Sequence, residues 1–295
     1  MRSPDGTRLG LFVGVLALAA AALLLVARAA GVSPVALAPV YMFSPLVAGL
    51  AVCLRWDVPL STVGLRLGRP RWLLAGAVTA IPLVVLALAL SVAIPGIGLD
   101  LTVDPVAGVP IPSGALGVVA TLGVALALGA TLNAVVAFGE EFGWRGYLLW
   151  ELAPLGFWRA SLAIGALWGV WHAPIIVAGY NYPSFPVVGV GAIIVACVAF
   201  SPVYTYLTVR AESVLAATLL HGVFNGSAGL VVAYAVTDDA VLSELVASPV
   251  GAAGVLAFGL AALAIAYSGA PALTREFARG DAPASSGRDA AAADG

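Results

Sequence analysis

The sequence has no lysine and only two cysteines, two histidines and two methionines in 295 residues. Charged residues make up 9% of it, whereas a water-soluble globular domain carries roughly 25%. So little charge excludes an ordinary soluble enzyme. The two cysteines, Cys53 and Cys197, sit inside apolar runs as small hydrophobes, which leaves no disulfide framework and no paired-thiol metal site. A net charge of −2 provides no basic surface, so nucleic acid is excluded as a partner. No internal repeat and no glycine-rich phosphate loop is visible. The GxxxG-like spacings are what 34 glycines produce by chance.

What the sequence has in excess is apolar length. Hydrophobic residues make up 62% of the chain, in runs of about 20 that are long enough to cross a hydrocarbon core. Backbone groups in lipid must be bonded internally, so uninterrupted runs mean helices rather than a barrel. Hydropathy places about eight spans, near 9–26, 35–54, 72–94, 115–138 and beyond, 160–178, 187–209, 214–236 and 250–267. The predicted fold is all-α, a polytopic integral membrane helical bundle over 1–268. Residues 269–295, rich in Ala, Gly, Ser, Asp and Arg, read as a disordered cytoplasmic tail. The first span lacks a small-residue cleavage site and is followed at once by a second, so it reads as an anchor rather than a leader.

All thirteen basic residues are arginine, and their placement orients the spans. Arg55, Arg66, Arg69 and Arg71 lie between spans two and three. If that loop is cytoplasmic, both termini are also cytoplasmic and only Arg28 falls outside, a strong positive-inside bias. Asp100, Asp104, Asp238, Asp239 and Glu244 occupy the outer loops. The expected location is the cell (inner or plasma) membrane, with the lipid bilayer as a constant partner.

Ionisable groups at membrane depth are costly and point to function by default. Here they form three clusters. Span four ends in Phe138-Gly-Glu140-Glu141-Phe-Gly-Trp144-Arg145; span five holds Trp168-Gly-Val-Trp171-His172-Ala-Pro174; span seven holds His221-Gly-Val-Phe-Asn225. Glu141 and Arg145 are four apart and can pair on one face, while Glu140 points about 100° away. His221 and Asn225 share a face by the same spacing. Trp168 lies one turn before His172 and can pack beside it. If spans four, five and seven meet, they enclose carboxylate, imidazole and amide groups suited to water activation and oxyanion stabilisation. Taken singly, each cluster has a plainer explanation: an interfacial charge cluster, a buried histidine at a helix break, or polar glue between helices.

Together these motifs resemble the CPBP family of intramembrane proteases, which includes the CAAX prenyl endopeptidases and bacteriocin-processing or immunity proteins. The matching residues are Glu140-Glu141-x-x-x-Arg145, Trp168-x-x-x-His172 and His221-x-x-x-Asn225, preceded by Arg210-x-x-Ser213. Trp168 stands where the family more often has Phe. The resemblance covers roughly 115–236, which would be the protease core. It implies hydrolysis of peptide bonds in a membrane-associated protein or peptide substrate. Glu140 would act as general base with His172 assisting, His221 and Asn225 would stabilise the oxyanion, and Glu141 and Arg145 would organise the site. Nothing looks like a covalent nucleophile with a dedicated base, so water is the expected attacker. The resemblance leaves the cofactor as none or Zn2+; zinc would use Glu140, His172 and His221, although the His-Glu-x-x-His spacing is absent. The competing classes are a catalytically silent scaffold or immunity protein and a small ion-coupled transporter. A transporter often shows two similar halves, whereas the polar groups here all lie in the second half. The site is expected to open toward the arginine-rich end of the bundle.

Overall fold

The computed structural model describes residues 3–103, 112 and 114–278. Asp104, Arg2, Arg279 and Arg288 lie outside these residues. The described chain is an all-α membrane bundle. Six helices are long and apolar enough to span: α1 (Gly6–Ala30), α2 (Pro34–Arg55), α3 (Pro70–Val92), α4 (Ala115–Leu155), α7 (Pro186–Ala211) and α8 (Val214–Tyr234). The other two expected spans are shorter helices. The fifth is α5 (Phe157–Trp171) followed, after a break at His172, by the one-turn α6 (Ala173–Val177). The eighth is α9 (Ala252–Ser268). The break at His172 follows from Pro174, which has no N–H to continue the helix.

Local chemistry marks the helix ends. Asp5 caps α1 by accepting from the Thr7 and Arg8 amides at 2.9 and 3.2 Å. Prolines open α3 and α7, where a missing N–H costs nothing. At 41 residues α4 is about twice the length a bilayer core requires. Two wide π-helical turns interrupt it, at Gly129–Asn133 and Phe142–Leu148. Such turns are frequent at functional sites, and the second begins directly after Glu141.

Contacts between loops define two ends of the bundle. At one, the Arg69 amide bonds Ala211 O (2.8 Å), the Val214 amide bonds Gly64 O (2.9 Å) and the Asp5 amide bonds Glu151 (2.7 Å). Arg8, Arg55, Arg66, Arg69, Arg210 and Arg275 all belong to this arginine end. At the other, β1 (Gly98–Leu99) pairs antiparallel with β2 (Ala235–Val236), and Glu244 accepts from the Ser184 amide. Asp100, Asp238 and Asp239 make this the acidic end. Asp100 accepts from the Thr102 hydroxyl and amide, which holds its carboxyl below the ordinary carboxylate range. The helices alternate between the two ends as the eight-span reading requires.

Residues 269–278, placed in the disordered tail by composition, lie against the arginine end instead. Leu273 and Phe277 are buried, Arg275 pairs with Glu151 at 2.5 Å, and Arg66 donates to Ala278 O. Composition missed this because three or four anchoring side chains suffice to hold a short segment whose other residues are small and polar. The rest of the tail lies outside the described residues.

Close helix contacts position the site. A Cβ on Gly165 of α5 would stand 2.6 Å from Cys197 O of α7, so the two backbones nearly touch there. A Cβ on Gly222 of α8 would run into the Gly129 carbonyl of α4. Membrane helices use such small residues to approach closely because lipid supplies no hydrophobic drive to bring them together.

Candidate active site

Spans four, five and seven do meet. Glu140, Glu141 and Arg145 on α4 are 2%, 0% and 0% exposed, and His221 on α8 is 5% exposed. Ions this deep must be paired or hydrogen-bonded. Arg145 Nη1 donates to Glu141 Oε1 at 3.2 Å, the i, i+4 pair expected from spacing. His221 Nδ1 lies 2.8 Å from the same oxygen. Since that carboxylate accepts, Nδ1 carries the proton and Nε2 is left free.

Glu140 is held differently. The Trp168 indole N–H donates to its Oε2 at 2.6 Å. Trp168 therefore does more than pack beside His172: it ties α5 to the carboxylate of α4. A Phe there could not make this bond. The His172 Nδ1–H donates to Trp168 O at 2.8 Å, a carbonyl available because the helix ends there, and Nε2 is again free. Cys197 Sγ is 3.9 Å from His172 Nδ1. The Trp168 ring lies between the imidazoles, with centroids 5.7 Å from His172 and 5.6 Å from His221.

A cavity of about 350 Å³ adjoins these groups. Trp168, His172, His221, Asn225, Tyr180, Asn181, Val232 and Val250 are among the residues that line it. The Asn225 and Asn181 side chains make no hydrogen bond among the described residues and face this space. Glu140 does not line the cavity. Of the lining residues, Tyr180, Asn181 and Val250 belong to loops of the acidic end, where Tyr182 donates to Val250 O at 2.8 Å. The expected opening toward the arginine end is thus corrected: the cavity runs the other way. Toward the arginine end, α4 continues past Arg145 through Tyr147, Leu148 and Leu149, all fully buried.

Sequence reasoning missed several participants. The Trp168–Glu140 and Glu141–His221 bonds span 28 and 80 positions, and no local spacing could reveal them. Tyr180 and Asn181 belong to a loop with no motif. Asn181 has φ +62, a conformation Asn tolerates better than most residues. A second buried charge, Glu151, was also missed; it is 0% exposed and binds Arg8 and Arg275 at the arginine end.

Among the described residues, no three His, Cys, Asp or Glu side chains lie together as a possible metal-ligand set.

The fold is that of an integral membrane protein, and its buried centre brings two carboxylates, two imidazoles and an arginine together beside this cavity. Residues 115–227 match the family model described as Rce1-like, type II CAAX prenyl endopeptidase Rce1-like. The motif-bearing core is thus similar to the type II CAAX prenyl endopeptidases over those residues. No curated protein matches the chain.

Proposed function

We propose that this protein is an intramembrane endopeptidase in which Glu140 activates a water molecule for attack on a peptide carbonyl. The observation that carries this is the buried Glu140–Trp168–His172 and Glu141–His221 arrangement beside one cavity. His172, with Nδ1 committed to a carbonyl, offers Nε2 as an acceptor that relays a proton from water. His221, as the imidazolium held by Glu141, presents Nε2–H to the developing oxyanion, and Asn225 adds its amide N–H beside it. The leaving amine takes the proton that Glu140 removed from water. Glu141 and Arg145 hold His221 and do not touch the substrate.

The substrate is a membrane-associated protein or peptide that enters from the acidic end of the cavity. With the arginine end in the cytoplasm of the cell membrane, that entrance faces the other side. A catalytically silent relative has one observation in its favour: Glu140 stands behind Trp168 rather than in the cavity wall. Substrate trapping separates the two. Cells carrying Glu140→Gln should accumulate uncut membrane proteins or peptides that wild-type cells process. If no protein differs between the two proteomes, the endopeptidase reading fails.

The mechanism is proposed without a metal. Purified active protein should contain well under one zinc per chain, and chelators should leave its activity intact. Zinc bound stoichiometrically by wild type and lost in both His172→Ala and His221→Ala would make those residues ligands instead.

A further inference from the structure

Arg145 poses a problem that its ion pair does not solve. It is fully buried, yet among the described residues only Nη1 has a hydrogen-bond partner; Nε and Nη2 have none. A guanidinium has five N–H donors, and a single 3.2 Å contact with Glu141 is a thin counterweight to its desolvation. What surrounds it is aromatic. The Arg145 Cζ lies 4.4 Å from the Trp168 ring centroid and 4.5 Å from that of Tyr204. Desolvated cation–π contacts of this kind are the strong ones.

Tyr204, on α7, belongs to none of the three motifs. It is 0% exposed and its hydroxyl has no hydrogen-bond partner among the described residues. Its ring is 5.5 Å from Trp168, 5.8 Å and edge-on to His221, and 6.4 Å from Phe258 of α9 in a stacked arrangement. The ring therefore touches the guanidinium and the imidazole at once, while α9 supports its far side. We infer that Tyr204 is a positioning residue: its ring closes the aromatic sandwich on Arg145, and through Arg145 and Glu141 it fixes the His221 ring with Nε2 toward the cavity. This rests on the role proposed above for His221. The ring carries the effect, and the unpartnered hydroxyl does not.

The chain's two histidines allow a direct test. Protein labelled with 15N-histidine gives signals from His172 and His221 only, and these report which ring nitrogens are protonated. Variants are first checked for monodispersity in detergent. Tyr204→Phe should keep the wild-type His221 signals. Tyr204→Leu should shift or broaden them and leave those of His172 in place. On an internally quenched farnesylated CAAX-type peptide, Tyr204→Leu should lower kcat by roughly 30-fold with little change in KM, the size of one lost desolvated cation–π contact. Tyr204→Phe should restore kcat, and Tyr204→Leu should cost nothing further in a Glu141→Gln background. Unchanged His221 signals in folded Tyr204→Leu overturn the inference, as does Tyr204→Phe behaving like Leu. If the signals move as expected while wild type cleaves no peptide or protein, the positioning role stands and the endopeptidase reading falls.

Discussion

At the scale of single residues, the two adjacent glutamates have different partners and therefore different expected failures. Among the described residues, Glu140 is hydrogen-bonded by the Trp168 indole alone. Glu140→Gln preserves an acceptor for that N–H and removes the base. Cleavage per folded molecule should fall about 10²–10⁴-fold, with membrane level near that of wild type. Glu141 holds both Arg145 and His221. Glu141→Gln leaves the buried guanidinium without its counter-charge, at a cost of about 3–5 kcal/mol. Detergent melting should show this as a large loss of thermal stability, and the protein level should fall with activity. Wild-type specific activity in Glu140→Gln, with loss confined to Glu141→Gln, would reverse the two roles. The pairing of Glu141 with Arg145 was legible from a spacing of four. The choice of Trp168 as partner for Glu140 was not, because it depends on how two helices pack.

At the scale of elements, the bundle is closed by contacts outside the motif region. Glu151, near the end of α4, binds the start of α1 and the segment after α9 together: Asp5 N at 2.7 Å, Arg8 at 3.6 Å and Arg275 at 2.5 Å. The Trp150 ring faces Arg8 and Arg275 as well. Both arginines are partly exposed, which weakens each pair alone, but the carboxylate between them is fully buried. Glu151→Ala should therefore loosen both terminal segments. Limited proteolysis should cut after Arg275 faster than in wild type, and detergent melting should show lower stability. Unchanged cleavage there would show that Phe277 and Leu273 hold the segment without the ion pairs. The α5–α7 contact at Gly165 is a matching case, since a large side chain there would push His172 and Trp168 away from α4.

At the scale of the whole molecule, thiol labelling reads which side of the membrane the cavity faces. Single cysteines can be placed in a Cys53→Ala, Cys197→Ala background. Ser61→Cys reports the arginine end, Asp238→Cys the acidic end and Ala228→Cys the cavity wall. A membrane-impermeant thiol reagent should label Ala228→Cys from the same side as Asp238→Cys and from the side opposite Ser61→Cys. If Ala228→Cys reacts from the Ser61 side, the entrance is at the arginine end and the cavity described here is not the substrate route. Labelling of Ser61→Cys from the cytoplasm would also place the arginine end inside, as the arginine bias predicts.

The sequence alone determined the class, the approximate spans and three short polar motifs. It could do so because hydropathy and helical periodicity are local properties, summed over neighbours along the chain. Tertiary structure decided the rest. It chose which carboxylate meets which imidazole across 80 residues, set Trp168 against Glu140, and enclosed Arg145 between two rings from different helices. It also turned the cavity toward the acidic end. These outcomes depend on where glycine lets two backbones touch and on which faces then oppose one another, and no window along the chain contains both faces.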